Sequence, residues 1–133
     1  MFLKLAHTKL DVYQLSRSLV LSCYQTTKLF PNEEKFTLVQ QIRRAAISVH
    51  LNLAEGCSRI TMRERKRFFE ISRSSVIEVD TAFDLGYELS YVTKEQLNPL
   101  EEPITRTFKI LSAMIKKNDS QSTTDSSTLT IDH

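Results

Sequence analysis

Only two glycines and three prolines occur in 133 residues, which leaves too little turn material for a sandwich or barrel of many short strands. Alanine, leucine, glutamate, lysine and arginine are frequent instead, and these residues cost least in a helix. An all-α chain is expected, and its length suits one hydrophobic core. The two cysteines, Cys23 and Cys57, are widely spaced on helical ground and lack the partners that a disulfide framework or a zinc site needs. Both are read as reduced thiols. No apolar run is long enough to span a bilayer, and Met1-Phe2-Leu3-Lys4-Leu5-Ala6-His7 is too short for a signal peptide. A cytoplasmic protein without a membrane partner is expected. P-loop, dinucleotide fingerprint, metal-ligand pair and nucleophile triad are all missing, so no cofactor, metal, small-molecule substrate or enzymatic activity is expected.

Apolar periodicity divides the chain into four helices. Tyr13, Ser16, Val20, Cys23, Thr27 and Phe30 recur at steps of three and four, which predicts a first helix over 9–29 that Pro31 stops. Leu38, Ile42, Ala45, Ala46, Val49 and Leu53 share one face of a second helix over 36–55, and Gly56 stands where a C-terminus favours left-handed backbone. Thr61 and Glu64 form a T-x-x-E capping box for a third helix that continues through Phe68, Ser72, Val76, Val79, Phe83 and Gly86 to about Tyr91. The fourth starts near Thr93, is disturbed by Pro99 and Pro103, and runs through Ile104, Phe108, Leu111 and Ile115 to Lys117. Asn98 is a point where it restarts. From Asn118 onward the chain is Ser-, Thr- and Asp-rich and cannot bury apolar surface, so 118–133 is expected to be a disordered tail. Short connections between four helices imply one antiparallel up-down-up-down four-helix bundle over 1–117.

Charge is segregated along the chain. Residues 40–75 hold eight cations against three carboxylates, a net of +5, whereas 76–105 hold one cation against seven carboxylates, a net of −6. One part of the molecule attracts what the other repels. The second helix also has a further apolar face, because Ile47 and Leu51 project opposite Ile42, Val49 and Leu53. On the third helix Ile77 points outward in the same way, with Ile71, Leu85 and Leu89 on a flank. Ile47, Leu51 and Ile77 are therefore candidate oligomer-interface residues.

The run Leu38 to Gly56 reads Gln-x-x-Arg-Arg-Ala-x-x-Ser-x-x-x-Asn-x-Ala-Glu-Gly from Gln40. It is followed by Arg59, Arg67-Phe68-Phe69, and Ser75-x-x-Glu78-x-Asp80-Thr81, and preceded by Asp11-Val12-Tyr13 and Leu29-Phe30-Pro31. Over residues 8–117 this pattern resembles the bacterial four-helix bundle family encoded within intervening sequences of 23S ribosomal RNA genes. The resemblance implies a bacterial source and a bundle fold. By similarity to the accessory protein of diversity-generating retroelements, it also implies a homopentamer that binds nucleic acid. The family brings no established biochemical role. His50 stands where the family usually has proline, and Ser74 where it usually has glycine. The first straightens helix 2 and the second slightly crowds helix 3.

Read physically, Arg44, Ser48, Asn52, Glu55 and Gln41 fall on one flank of helix 2 and Glu78 on the corresponding flank of helix 3, where a structural polar network across the two helices is expected. The basic run from Arg59 to Arg73 supplies the candidate nucleic-acid-binding residues Arg59, Arg63, Lys66, Arg67 and Arg73, with Arg43 approaching from helix 2. The same cations also fit a subunit contact with an acidic end holding Asp80, Asp84 and Glu88, or a solvated face. With Phe68 assigned to the core, base stacking has little support, and binding to RNA or DNA is expected to be electrostatic and weakly sequence-specific. The expected function is thus a non-catalytic oligomeric nucleoprotein module. Two alternatives stand beside it, a pure protein–protein scaffold and a metal-independent ribonuclease. In the latter, Arg43 and His50, seven residues apart on one helix face, resemble the arginine–histidine motif of HEPN ribonucleases, with the arginine on phosphate and the histidine as acid or base. The polar residue usually following that arginine is missing, and His50 is read as a surface histidine.

Overall fold

In the computed structural model, residues 1–132 are described, with side chains as far as Asp119. Four helices follow in order: α1 (Asp11–Thr27), α2 (Leu38–Ser58), α3 (Met62–Glu88) and α4 (Lys94–Asp132). A 3₁₀ turn at Ala6–Lys9 precedes α1, and another at Asn32–Glu34 lies between α1 and α2. Each helix packs on two neighbours, α1 on α2 and α4, and α3 on α2 and α4, so the bundle has four sides. Cross-helix bonds show the antiparallel register: Ser72 Oγ donates to the Val49 carbonyl at 2.7 Å, Lys66 meets Asp119 at 2.6 Å, and Arg73 meets Ser112 at 3.3 Å. One end of the bundle therefore holds the start of α1, the α2–α3 turn and the region of α4 around Asp119. The other holds Pro31, the end of α3 and the start of α4.

Each helix boundary has a local cause. Thr61 caps α3 by accepting the Glu64 amide at 3.2 Å. Thr93 caps α4 reciprocally, accepting from the Gln96 amide at 3.2 Å while Gln96 Oε1 accepts the Thr93 amide at 2.9 Å, a closed capping box. Helix α3 ends at Glu88, not near Tyr91. The Tyr91 amide reaches back to the Gly86 carbonyl and the Ser90 amide to the Tyr87 carbonyl, both at 2.9 Å, with Ser90 left-handed at φ 64°, the Schellman arrangement.

The core is built from Leu19, Cys23, Ile42, Val49, Leu53, Phe69, Val76, Val79, Leu100 and Leu111, with Phe30 and Phe83 edge-to-face at 6.1 Å. Four expectations are corrected. Gly56 does not end α2 in left-handed backbone; it lies inside the helix, its φ negative, because the Phe69 ring occupies the place where a Cβ would stand, 2.6 Å from Cε1. Phe69, at 1% exposure, is accordingly the core aromatic, and Phe68 is half-buried. Pro99 and Pro103 lie inside one continuous α4 without a restart at Asn98. Pro103 is buried, with Leu100, Thr107, Leu111 and Ile115 on the same face, and that burial counters the loss of two backbone donors. The helix also passes Lys117, since Asn118 is buried and Asp119 pairs with Lys66. From residue 120 the expected disordered tail lies outside the described side chains.

Candidate nucleic-acid interface and subunit faces

The end of the bundle at the α2–α3 turn gathers cations from two helices and from the turn itself. Arg63 and Arg67 lie exposed on the first turns of α3. Arg59 sits just after α2, paired with Glu55 and with its guanidinium 4.8 Å from the Phe68 ring. Lys66 is held by Asp119, whose hydrogen bond raises the ammonium's affinity for its proton. Because α4 runs antiparallel, Lys116 and Lys117, one turn before Asp119, reach the same end and are exposed. Sequence reading missed these two lysines, which the register of Lys66 on Asp119 and Arg73 on Ser112 sets level with the Arg67–Phe69 turn of α3. Arg73 is half-buried against Ser112 of α4.

Arg43 does not approach this group. Its Nε donates to Thr27 Oγ1 at 2.9 Å, another nitrogen donates to the Tyr24 carbonyl at 3.3 Å, and the guanidinium lies 4.5 Å from the Tyr24 ring. It joins α2 to the end of α1. His50 is likewise no plain surface residue: it is half-buried in the α1–α2 seam, its ring 4.6 Å from Tyr13 and its Nδ1 2.6 Å from Ser16 Oγ. Burial, then the positive charges of Arg17 and His7, hold the imidazole below its ordinary pKa of 6.5. Ser16 is fully buried and also bonds the Tyr13 carbonyl at 3.0 Å. Arg43 and His50 are thus bonded at separate points along α1.

The polar residues of the α2 and α3 flanks fall into separate pieces. Asn52 Nδ2 donates to the Ser48 carbonyl and hydroxyl at 2.9 and 3.0 Å, and Ser75 Oγ donates to Ser48 Oγ at 2.8 Å. Glu55 turns away to Arg59, while Gln41 reaches Glu78 at 3.5 Å. Arg44 lines a groove of about 460 Å³ between α2 and α3 with Gln41, Ser48, Glu70 and Glu78.

The opposite end is acidic. Glu34 ties it together, accepting from Thr37 Oγ1, from Tyr91 Oη at 2.9 Å and from the Leu38 amide at 3.3 Å. These donors, Thr37 first, lower its pKa, and the Glu34 bond raises that of Tyr91. Between α3 and α4, Asp80, Asp84 and Glu101 rim a groove of about 530 Å³ floored by Phe83, Leu97 and Ile104. It continues into a smaller groove of about 250 Å³ past Ile77 and Phe108. Ile77 is 51% exposed, and Ile47 and Leu51 on α2 are 36% and 60% exposed.

Cys23 is buried and its thiol pushed up to about 12, while Cys57, also raised by burial, faces the opposing influence of Arg65. Among the described residues no group of His, Cys, Asp and Glu is placed to hold a metal ion, and no helix is long and apolar enough to cross a membrane.

Comparison with curated proteins gives no match. Among solved structures, the chain is similar to a protein of unknown function from the S23 ribosomal protein family of Bacteroides thetaiotaomicron, at 24% identity over 79% of this chain and 98% of that one, with a TM-score of 0.72. That likeness shows the shared bundle fold. The family described as 23S rRNA-intervening sequence protein matches residues 8–113, a span running from the 3₁₀ turn before α1 into α4 that includes Arg63, Arg67 and the α3–α4 groove and stops short of Lys116 and Lys117. The chain belongs to the 23S rRNA-intervening sequence protein family.

Proposed function

We propose that this protein is a non-catalytic, cytoplasmic homo-oligomer that binds RNA or DNA through the basic end of its bundle. The observation that carries the reading is the convergence of Arg63, Arg67, Lys116 and Lys117, all exposed and drawn from two antiparallel helices, at one end, with Arg59 beside them. Guanidinium and ammonium groups spaced over a convex end suit phosphates rather than base edges. Arg59 covers the Phe68 ring, so the aromatic nearest the cations is not offered to a base. The description of the family by an rRNA intervening sequence is consistent with a nucleic-acid partner. Self-association is supported by the exposed Ile47, Leu51 and Ile77, and five copies by the resemblance noted above.

In a closed oligomer the cations of several copies act together on one polyanion. Light scattering of the pure protein, alone and with a mixed RNA at two salt concentrations, tests this directly. The expected result is a multiple of the 15.4 kDa chain mass and an RNA complex that dissociates as salt rises; a monomer, or no complex at low salt, refutes it.

The ribonuclease reading has less support, because Arg43 is bonded to Tyr24 and Thr27 and His50 to Ser16. His50→Ala is expected to leave RNA affinity intact, and neither form is expected to cleave single-stranded RNA in the absence of metal. Cleavage that disappears with His50 refutes the non-catalytic reading.

A further inference from the structure

Residues Met1 to Leu5 form neither helix nor strand, and their apolar side chains are left in solvent. Phe2 is fully exposed, Leu3 is 66% exposed and Leu5 45%, with Lys4 between them. Isolated surface apolar residues are ordinary, but consecutive ones projecting from a bundle leave a contiguous apolar patch. Residues 5–7 and Leu10 line a shallow pocket with Cys57, Ser58 and Arg65 at the basic end, and His7 packs edge-on to Tyr13 at 5.6 Å, so the segment is anchored there and free beyond it.

The α3–α4 groove has the complementary character. Its floor is apolar, its rim carries Asp80, Asp84 and Glu101 against one cation, Lys94, and Ile77 and Phe108 stay exposed along its continuation. A short apolar segment bearing a lysine fits this surface in both shape class and charge.

The segment cannot fill the groove of its own chain. From Leu5 to Phe2 an extended chain reaches at most about 11 Å. Along α3 from Arg65, level with the anchor, to Asp80, at the near end of the acidic groove, the rise is about 22 Å, before any path around the bundle. Even Ile77 stands about 18 Å along the axis.

We infer that the arm Met1–Leu5 of one copy docks in the α3–α4 groove of a second copy, Phe2 and Leu3 on the apolar floor and Lys4 beside Asp80, Asp84 and Glu101. The inference rests on the homo-oligomer reading and deepens it by naming the two surfaces that meet. Because the arm and the groove are different surfaces, the contact is heterologous and joins copies head to tail, the class of contact that forms a ring when its rotation closes.

Two full-length variants, Phe2→Cys and Thr105→Cys, test it. Each is purified separately, the two are mixed under mild oxidation, and Phe2→Cys mixed with Gln25→Cys, exposed on α1, serves as control. A disulfide-linked heterodimer is expected with Thr105→Cys and not with Gln25→Cys. In parallel, Phe2→Ser with Leu3→Ser is expected to raise the dissociation constant of the oligomer by roughly tenfold or more for each apolar side chain lost. A wild-type oligomer without the Thr105 cross-link, or one whose mass and dissociation constant the double serine variant leaves unchanged, overturns the arm-in-groove inference alone. A monomeric wild type overturns the homo-oligomer reading with it.

Discussion

Reversing Arg63 and Arg67 to glutamate is the most direct test of the basic end, and its size follows from the geometry. Four exposed cations without a carboxylate partner among the described residues stand there per protomer: Arg63, Arg67, Lys116 and Lys117. If each neutralises one phosphate of a single-stranded RNA, the slope of log affinity against log salt is about −0.7 for each, or about −2.8 per protomer. Between 50 and 200 mM salt the wild-type affinity then falls by roughly fiftyfold, and Arg63→Glu/Arg67→Glu, with two contacts remaining, by roughly sevenfold. Several protomers acting on one RNA multiply both slopes equally, so halving of the slope is the invariant to read. Fluorescence anisotropy with a labelled RNA of mixed sequence measures it. Lys28→Glu/Lys35→Glu makes the same change in net charge at the other end of the bundle, where both lysines are exposed, and is expected to preserve the slope. Equal slopes for the wild type and the Arg63/Arg67 variant, or equal losses in the two double variants, refute a localised phosphate site.

Three further outcomes follow from the fold. Gly56→Ala gains about 1 kcal/mol of helix propensity, but its Cβ would lie 2.6 Å from the buried Phe69 ring, an overpacking that costs about 1–3 kcal/mol. Thermal denaturation is expected to show a net loss of stability, partly recovered by Phe69→Leu, and a more stable Gly56→Ala would contradict the packing. His50 is neutral in the fold because burial, Arg17 and His7 depress its pKa, so the unfolded chain binds the proton more readily; its share of stability is complete above about pH 6.5 and declines as pH falls through the lower folded value. His50→Asn is expected to flatten that decline in urea melts taken between pH 7.5 and 5, and an unchanged profile would place the titration elsewhere. Ser90→Gly relieves the left-handed backbone at φ 64° and is expected to raise stability by about 0.5–1 kcal/mol, with a lower melting temperature as the opposing result.

Four helices, the Thr61 cap and the apolar stripes were legible because each is a local property, repeated every three or four residues or confined to one turn. Phe68 and Phe69 show where that reading stops. One lies four residues and the other three before Ser72, so both suit the same helical stripe, and the choice between them is made by a residue on another helix, Gly56, whose missing Cβ makes room for the Phe69 ring. The same fact moved Gly56 from a helix end to a helix interior. Pro99 and Pro103 read as breaks because their lost donors are local, whereas the burial that holds α4 together is tertiary.

The functional surface follows the same division. Arg63 and Arg67 were visible as an outward basic flank of a single helix, but Arg43, on a neighbouring helix, was assigned by proximity and is instead taken up by Tyr24 and Thr27 of α1. Lys116 and Lys117 carried no signal as part of a site, since the closing turn of a helix commonly holds lysine. Their level, beside the Arg67 turn of α3, is fixed by the pairing of residue 66 with 119 and of 73 with 112, a register that no single helix contains. A helical projection ranks charges within one element, and the field a polyanion meets is the sum over elements. For this bundle the decisive quantity is therefore the antiparallel register of α3 on α4, which both places the two lysines at the basic end and leaves the acidic groove at the other.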